Sequence, residues 1–144
     1  MKVASILKSK GGRVVTMRPD SSITSVIQRM KLERIGAIVI SADGERIDGI
    51  VSERDIVYGL ADQHGDLLAL KVSDVMTREV ITCTPDDQIK HVMARMTHSR
   101  IRHVPVVDGG RLLGIVSIGD VVKDRMGELE TETKVLHDYI AHGR

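Results

Sequence analysis

The feature that most restricts this chain is that it is written twice. Val15-Thr16-Met17-Arg18-Pro19-Asp20 aligns with Ile81-Thr82-Cys83-Thr84-Pro85-Asp86 at an offset of 66 residues. Ile23, Val26, Met30 and Arg34-Ile35 fall on Ile89, Val92, Met96 and Arg100-Ile101 at the same offset. At Asp43-Gly44 and Asp108-Gly109 the offset slips to 65, where a turn absorbs one residue. Gly49-Ile50-Val51-Ser52 and Asp55 then match Gly114-Ile115-Val116-Ser117 and Asp120. Self-similarity over ordered blocks marks a repeated structural unit. A unit of about 60 residues barely buries a core of its own, so the two copies are expected to pack together.

Each copy reads as β-α-β-β-α. A short β-branched run (Val14 to Thr16; Val80 to Thr82) precedes Pro-Asp, a turn and helix-start signal. Ile23, Val26, Ile27 and Met30, echoed by Ile89, Val92, Met93 and Met96, have helical spacing. Strands follow at Ala37 to Ile40 and Val104 to Val107, then, past the Asp-Gly turns, at Ile47 to Val51 and Leu112 to Val116. Eighteen Val and fifteen Ile, with no Phe or Trp and two Tyr, suit a core of buried strands and helices. The fold class expected is α/β. Two pseudo-symmetric units, 1–66 and 67–126, pack through their sheets and are followed by an amphipathic C-terminal helix, 127–144.

Charge and motif content exclude several functions. Twenty-one Lys and Arg against 20 Asp and Glu leave a net charge of +1, and aromatic platforms are lacking, so nucleic acid is not an expected partner. The single Cys83 excludes an internal disulfide and a Cys-rich zinc site, and its strand position suggests an inert buried thiol. The scattered histidines lack metal-ligand spacing, and His91 and His98 read as a solvated face. No Walker loop, Gly-x-Gly-x-x-Gly run or Ser-His-Asp constellation is present, so neither catalysis nor a catalytic cofactor is expected. With no signal-peptide pattern and no apolar run of about 18 residues, a cytoplasmic location away from membranes is expected.

Gly49-Ile50-Val51-Ser52-Glu53-Arg54-Asp55, together with Arg102-His103-Val104-Pro105-Val106-Val107-Asp108 and Gly114-Ile115-Val116-Ser117-Ile118-Gly119-Asp120, resembles the cystathionine β-synthase (CBS) domain in tandem. The resemblance runs from about Val3 to Arg125 and is of the stand-alone bacterial and archaeal kind. It implies a Bateman module: two repeats related by a pseudo-twofold axis, with two clefts between them. It also implies binding of AMP, ADP or ATP, or in some members NAD or S-adenosylmethionine, and pairing of modules into a disc-like homodimer. A sensor of energy state acting on a separate, unidentified protein is the function that follows.

The residues agree with that reading on physical grounds. Asp55 and Asp120 are carboxylates able to accept from two ribose hydroxyls. Ser52 and Ser117 stand at helix starts, where free N–H groups suit a phosphate, although a Ser followed three residues later by Asp is ordinarily a helix cap. The runs from Ile35 and Ile101 suit an adenine slot with aliphatic walls. The nucleotide-binding set is therefore expected to be Thr16, Ile35, Gly36, Ala37, Ile50, Ser52, Arg54 and Asp55 from the first copy. Thr82, Ile101, Arg102, His103, Val104, Pro105, Ile115, Ser117, Gly119 and Asp120 complete it from the second. The copies differ where the second has Arg102-His103 in place of Gly36-Ala37 and Gly119 in the slot of Arg54, so the Asp55 cleft is expected to be the stronger phosphate site. Arg54 has a plainer alternative as a surface partner of Glu53 or Asp55.

From Val122 the spacing Val122, Met126, Leu129, Thr133, Leu136, Ile140 runs 4, 3, 4, 3, 4, a short heptad seam weakened by Gly127. Either this helix folds back on its own domain or it pairs with another subunit. That leaves a second functional class, a protein-interaction module working through the last helix without a small ligand.

Overall fold

A computed structural model describes residues 1–142. In chain order the elements are α1 (Val3–Lys10), β1 (Thr16–Met17), α2 (Ile23–Glu33), β2 (Ala37–Ile40), β3 (Gly49–Ser52) and α3 (Glu53–Gln63). Two 3-10 turns (His64–Ala69 and Val72–Asp74) lead to α4 (Ile89–Ser99), β4 (His103–Asp108), β5 (Arg111–Ser117) and α5 (Ile118–His142). The architecture is α/β with two small sheets. In the first, β1 runs parallel to β2 and β2 antiparallel to β3; the second is the antiparallel pair β4-β5.

Local chemistry repeats between the halves. Helix α2 starts on Ser22, whose side chain accepts from Ser25 N–H, and buries Ile23, Val26 and Met30 on one stripe. Helix α4 buries Ile89, Val92 and Met96 in the same way. Each ends on an arginine in the left-handed region, Arg34 and Arg100 at φ 55°, and the next N–H (Ile35, Ile101) returns to the Met30 or Met96 carbonyl. Two cores result. One gathers Ile23, Val26, Ile38, Ile40, Val51 and Ile56; the other gathers Ile89, Val92, Val104, Val106, Val116 and Val121.

Neither core is completed by its own stretch of sequence. Helix α1, at the start of the chain, puts Val3 and Ile6 into the second core, while Leu67, Val72 and Met76 from the linker enter the first. The backbone bonds that dock them are equivalent. Ile89 N–H bonds Met1 O and Val3 N–H bonds Asp87 O; Ile23 N–H bonds Leu70 O and Val72 N–H bonds Ser21 O. Two strand glycines make room for these segments. A Cβ on Gly49 would lie 2.6 Å from Met76 Sδ and 2.9 Å from the Thr77 carbonyl, and one on Gly114 would lie 2.5 Å from Leu7 Cδ2.

Some expected boundaries move for identifiable reasons. Val80 to Thr82 is not a strand: only Cys83 bridges Val106, because Arg95 takes the Thr82 carbonyl at 2.7 Å and a turn follows at once. β3 begins at Gly49 instead of Ile47 because the Asp48 carboxylate is bound to Ala42 N–H at 2.7 Å, which closes the turn. The expected helix 127–144 is not separate: α5 runs unbroken from Ile118 through Gly127 to His142. Residues 143–144 lie outside the described residues. Cys83 is buried, and burial pushes its thiol up to about 11.

Candidate functional site

A cleft of about 770 Å³ opens between the halves, within the range of small-molecule sites. β3 and the first turn of α3 form one wall, and the chain from Arg100 to His103 forms another. The start of α5 and the stretch from Glu79 to Ile81 complete it.

Asp55 is placed by the cap of α3. Ser52 and Asp55 form a reciprocal capping box, with the Asp55 Oδ2 accepting from Ser52 N–H at 2.8 Å. Asp55 Oδ1 accepts the Thr77 hydroxyl at 3.2 Å, and among the described residues no cation pairs with this carboxylate, which lines the cleft. Gly36 has a spatial reason to lack a side chain: a Cβ there would lie 3.0 Å from Glu53 Oε1 and 3.4 Å from His103 Cε1. His103 is held below the ordinary imidazole range, first by burial and then by Lys10 and Arg102, against the opposing pull of Glu53 and Asp120. The Arg54 guanidinium spans the halves and donates to the Arg100 carbonyl at 2.6 Å; it is not the partner of Glu53 or Asp55. Ile50, Val80, Ile81 and Ile101 give the cleft aliphatic surface.

The equivalent corner of the second repeat is furnished differently. Asp120 Oδ2 accepts from Ser117 N–H at 2.9 Å, as Asp55 does from Ser52, but it also accepts the Lys10 ammonium at 2.8 Å. The same ammonium donates to the Ile115 carbonyl at 2.8 Å. Burial alone would raise the Asp120 carboxyl, yet the Lys10 ammonium and the Ser117 N–H outweigh it and hold it below the usual carboxylate range.

Of the residues expected from sequence, the cleft brings together Gly36, Ala37, Ile50, Ser52, Arg54, Asp55, Ile101, Arg102, His103, Ser117 and Gly119. Ile115 and Asp120 meet at Lys10 instead. Thr16 lies in β1 opposite Val39, and Ile35 packs against the first core. Thr82 offers its carbonyl to Arg95. Val104 faces the second core, and Pro105 is buried in β4 with its carbonyl bound to Cys83 N–H. Strand alternation explains Val104: with His103 turned to the cleft, its neighbour turns away.

Sequence reasoning missed Glu53, Tyr58, Thr77, Glu79, Val80, Ile81, Arg100 and Ile118 on the walls. Tyr58 had a signal, since it follows Asp55 by three residues and shares its helical face. Val80 and Ile81 were hidden by their strand-like composition. Among the described residues no group of His, Cys, Asp and Glu could hold a metal ion, and no helix is long and apolar enough to cross a membrane.

Comparison with known proteins agrees with this geometry. The CBS domain family model matches residues 3–62 and 72–127. A mitochondrial CBS domain-containing protein of Arabidopsis thaliana is 34% identical over 98% of this chain and 72% of its own length. The crystal structure of a CBS-domain containing protein from Agrobacterium tumefaciens superposes with a TM-score of 0.83 at 44% identity, covering 87% of this chain and 99% of that one. A CBS domain protein from Pyrobaculum aerophilum, solved as a complex with AMP, has a TM-score of 0.77 at 26% identity, covering 92% of this chain and 99% of that one.

Proposed function

The chain belongs to the CBS domain family and carries the domain twice, and from that premise we propose that it is a non-catalytic sensor of adenine nucleotides whose principal site is the Asp55 cleft. The observation that carries the reading is the convergence, in one cleft, of a carboxylate with no paired cation among the described residues, arginine side chains and aliphatic walls. The Asp55 carboxylate accepts the two ribose hydroxyls without leaving its cap. Arg102 and Arg54 meet the phosphate, with His103 behind them. The base lies against Ile50, Val80, Ile81 and Ile101, and strand-edge backbone groups read its donor and acceptor pattern.

AMP is the first candidate ligand, supported by the AMP complex of the Pyrobaculum relative. The Asp120 corner is the weaker site, because its carboxylate is already paired with the Lys10 ammonium, which makes it a poorer acceptor. It is the place for a second adenine ligand such as NAD. Binding signals only if the nucleotide prefers one of two conformations or partner states, since equal affinity for both shifts nothing.

Calorimetric titration with AMP, ADP, ATP, NAD, S-adenosylmethionine and GTP tests the proposal. Adenine nucleotides are expected to bind and remain unchanged through prolonged incubation, while GTP gives no heat. Absence of binding by every adenine compound, or steady consumption of the one that binds, overturns it.

A further inference from the structure

We propose that the outer part of α5 is the seam of a parallel, in-register two-stranded coiled coil with a second copy of this chain. The inference is independent of nucleotide binding. Only Val121 of α5 is buried, and every residue from Leu129 to His142 is exposed, about 20 Å of helix at 1.5 Å per residue. This stretch continues a docked helix but packs no apolar face of its own, and packing of such a face is what most stabilises helices in proteins. Along it Met126, Leu129, Leu136 and Ile140 are 48 to 69% exposed on one stripe, with Thr133 filling the remaining step. Their spacing makes Met126, Thr133 and Ile140 a positions, and Val122, Leu129 and Leu136 d positions.

The flanking charges select both the occupant and its direction. Lys123, Glu130 and His137 fall at e; Arg125, Glu132 and Tyr139 fall at g. In a parallel pair each g residue faces the e residue five positions on in the other helix. That sets Arg125 against Glu130 and Glu132 against His137, twice each across the twofold axis. Turned antiparallel with the apolar layers still matched, the seam sets Glu130 against Glu130 and Glu132 against Glu132. A second copy in parallel therefore satisfies this seam, and a reversed one does not.

Disulfide trapping of the full chain decides the matter. Cys83 is buried and does not compete. A Leu136→Cys variant is expected to form a self-disulfide dimer on mild oxidation, because a parallel d position meets itself. A Val135→Cys variant, one step off the stripe, is expected to stay monomeric on a non-reducing gel. Sedimentation of Arg125→Glu is expected to show at least tenfold weaker self-association, restored when Glu130→Arg is added. No cross-link from Leu136→Cys, equal cross-linking from Val135→Cys, or no rescue by the second charge reversal overturns the proposal. Thermal unfolding of each variant checks that the two cores stay folded.

Discussion

The Asp55 and Asp120 corners are built from the same local sequence, Gly-Ile-Val-Ser followed three residues later by Asp, yet different groups stand before the two carboxylates. Asp55 meets a neutral hydroxyl from Thr77, and Asp120 meets the ammonium of Lys10. Both partners come from the exchanged segments, Thr77 from the linker and Lys10 from the end of α1. Duplication copied the caps, and the divergence lies in what was brought up against them. One corner leaves its carboxylate without a cation among the described residues, while the other already pairs it with one.

The sharpest way to break this comparison is to delete each carboxylate. Asp55→Ala is expected to weaken AMP binding by at least tenfold, about 1.4 kcal/mol, with Asp120→Ala changing it less than threefold by calorimetry. Equal losses would abolish the asymmetry.

The two glycines give a stability counterpart. Gly49→Ala is expected to cost about 2 kcal/mol in urea unfolding, because its new methyl meets the Thr77 backbone carbonyl as well as Met76. Gly114→Ala is expected to cost about 1 kcal/mol, since there the obstacle is the movable end of Leu7. Reversal of that order would mean that the linker gives way more readily than α1.

Lys10→Met sharpens the comparison from the other side. It removes the cation before Asp120 and is expected to bring AMP affinity at that corner a few-fold closer to the Asp55 value. The stability change is expected to stay under about 1 kcal/mol for a pair this exposed. No gain of binding at the second corner would separate the ion pair from the weakness of the site.

The smallest effect is on pH. His103 has its folded-state pKa lowered by burial, and Ala37 in the first repeat has nothing to titrate. Between that lowered value and the ordinary 6.5 the unfolded chain holds more protons, so stability falls as pH drops below about 6.5. The decline is expected to stop once the folded value is passed, and to be flatter in His103→Gln when unfolding is followed from pH 7.5 to 5.5.

Much of the fold was legible because apolar spacing records which face of an element is buried. Ile23, Val26 and Met30 mark the inner stripe of α2, and Ala37 to Ile40 marks a strand buried along its length. Spacing does not record which core receives that face. Lys2-Val3 with Ile6-Leu7 repeats as Lys71-Val72 with Val75-Met76 at an offset of 69, the trace of the exchanged segments. Aligned by sequence order alone, α1 would be counted with the first half. At the site, Ser52 and Asp55 were legible as a cap and Arg102-His103 as polar intruders in an apolar run. Glu79, Val80 and Ile81 were not, because their role depends on where the chain passes after the linker.

The exchanged segments also set an order of events on the ribosome. Helix α1 is made before every other element, yet its docking surface is complete only when β5 and Val121 have emerged, more than 100 residues later. At about 5–20 residues per second, Val3 and Ile6 wait for several seconds or longer without their core. The first repeat receives its missing piece from the linker almost as soon as α3 is finished. During synthesis the first core therefore has all its parts in hand before the second, although the helix that completes the second precedes both.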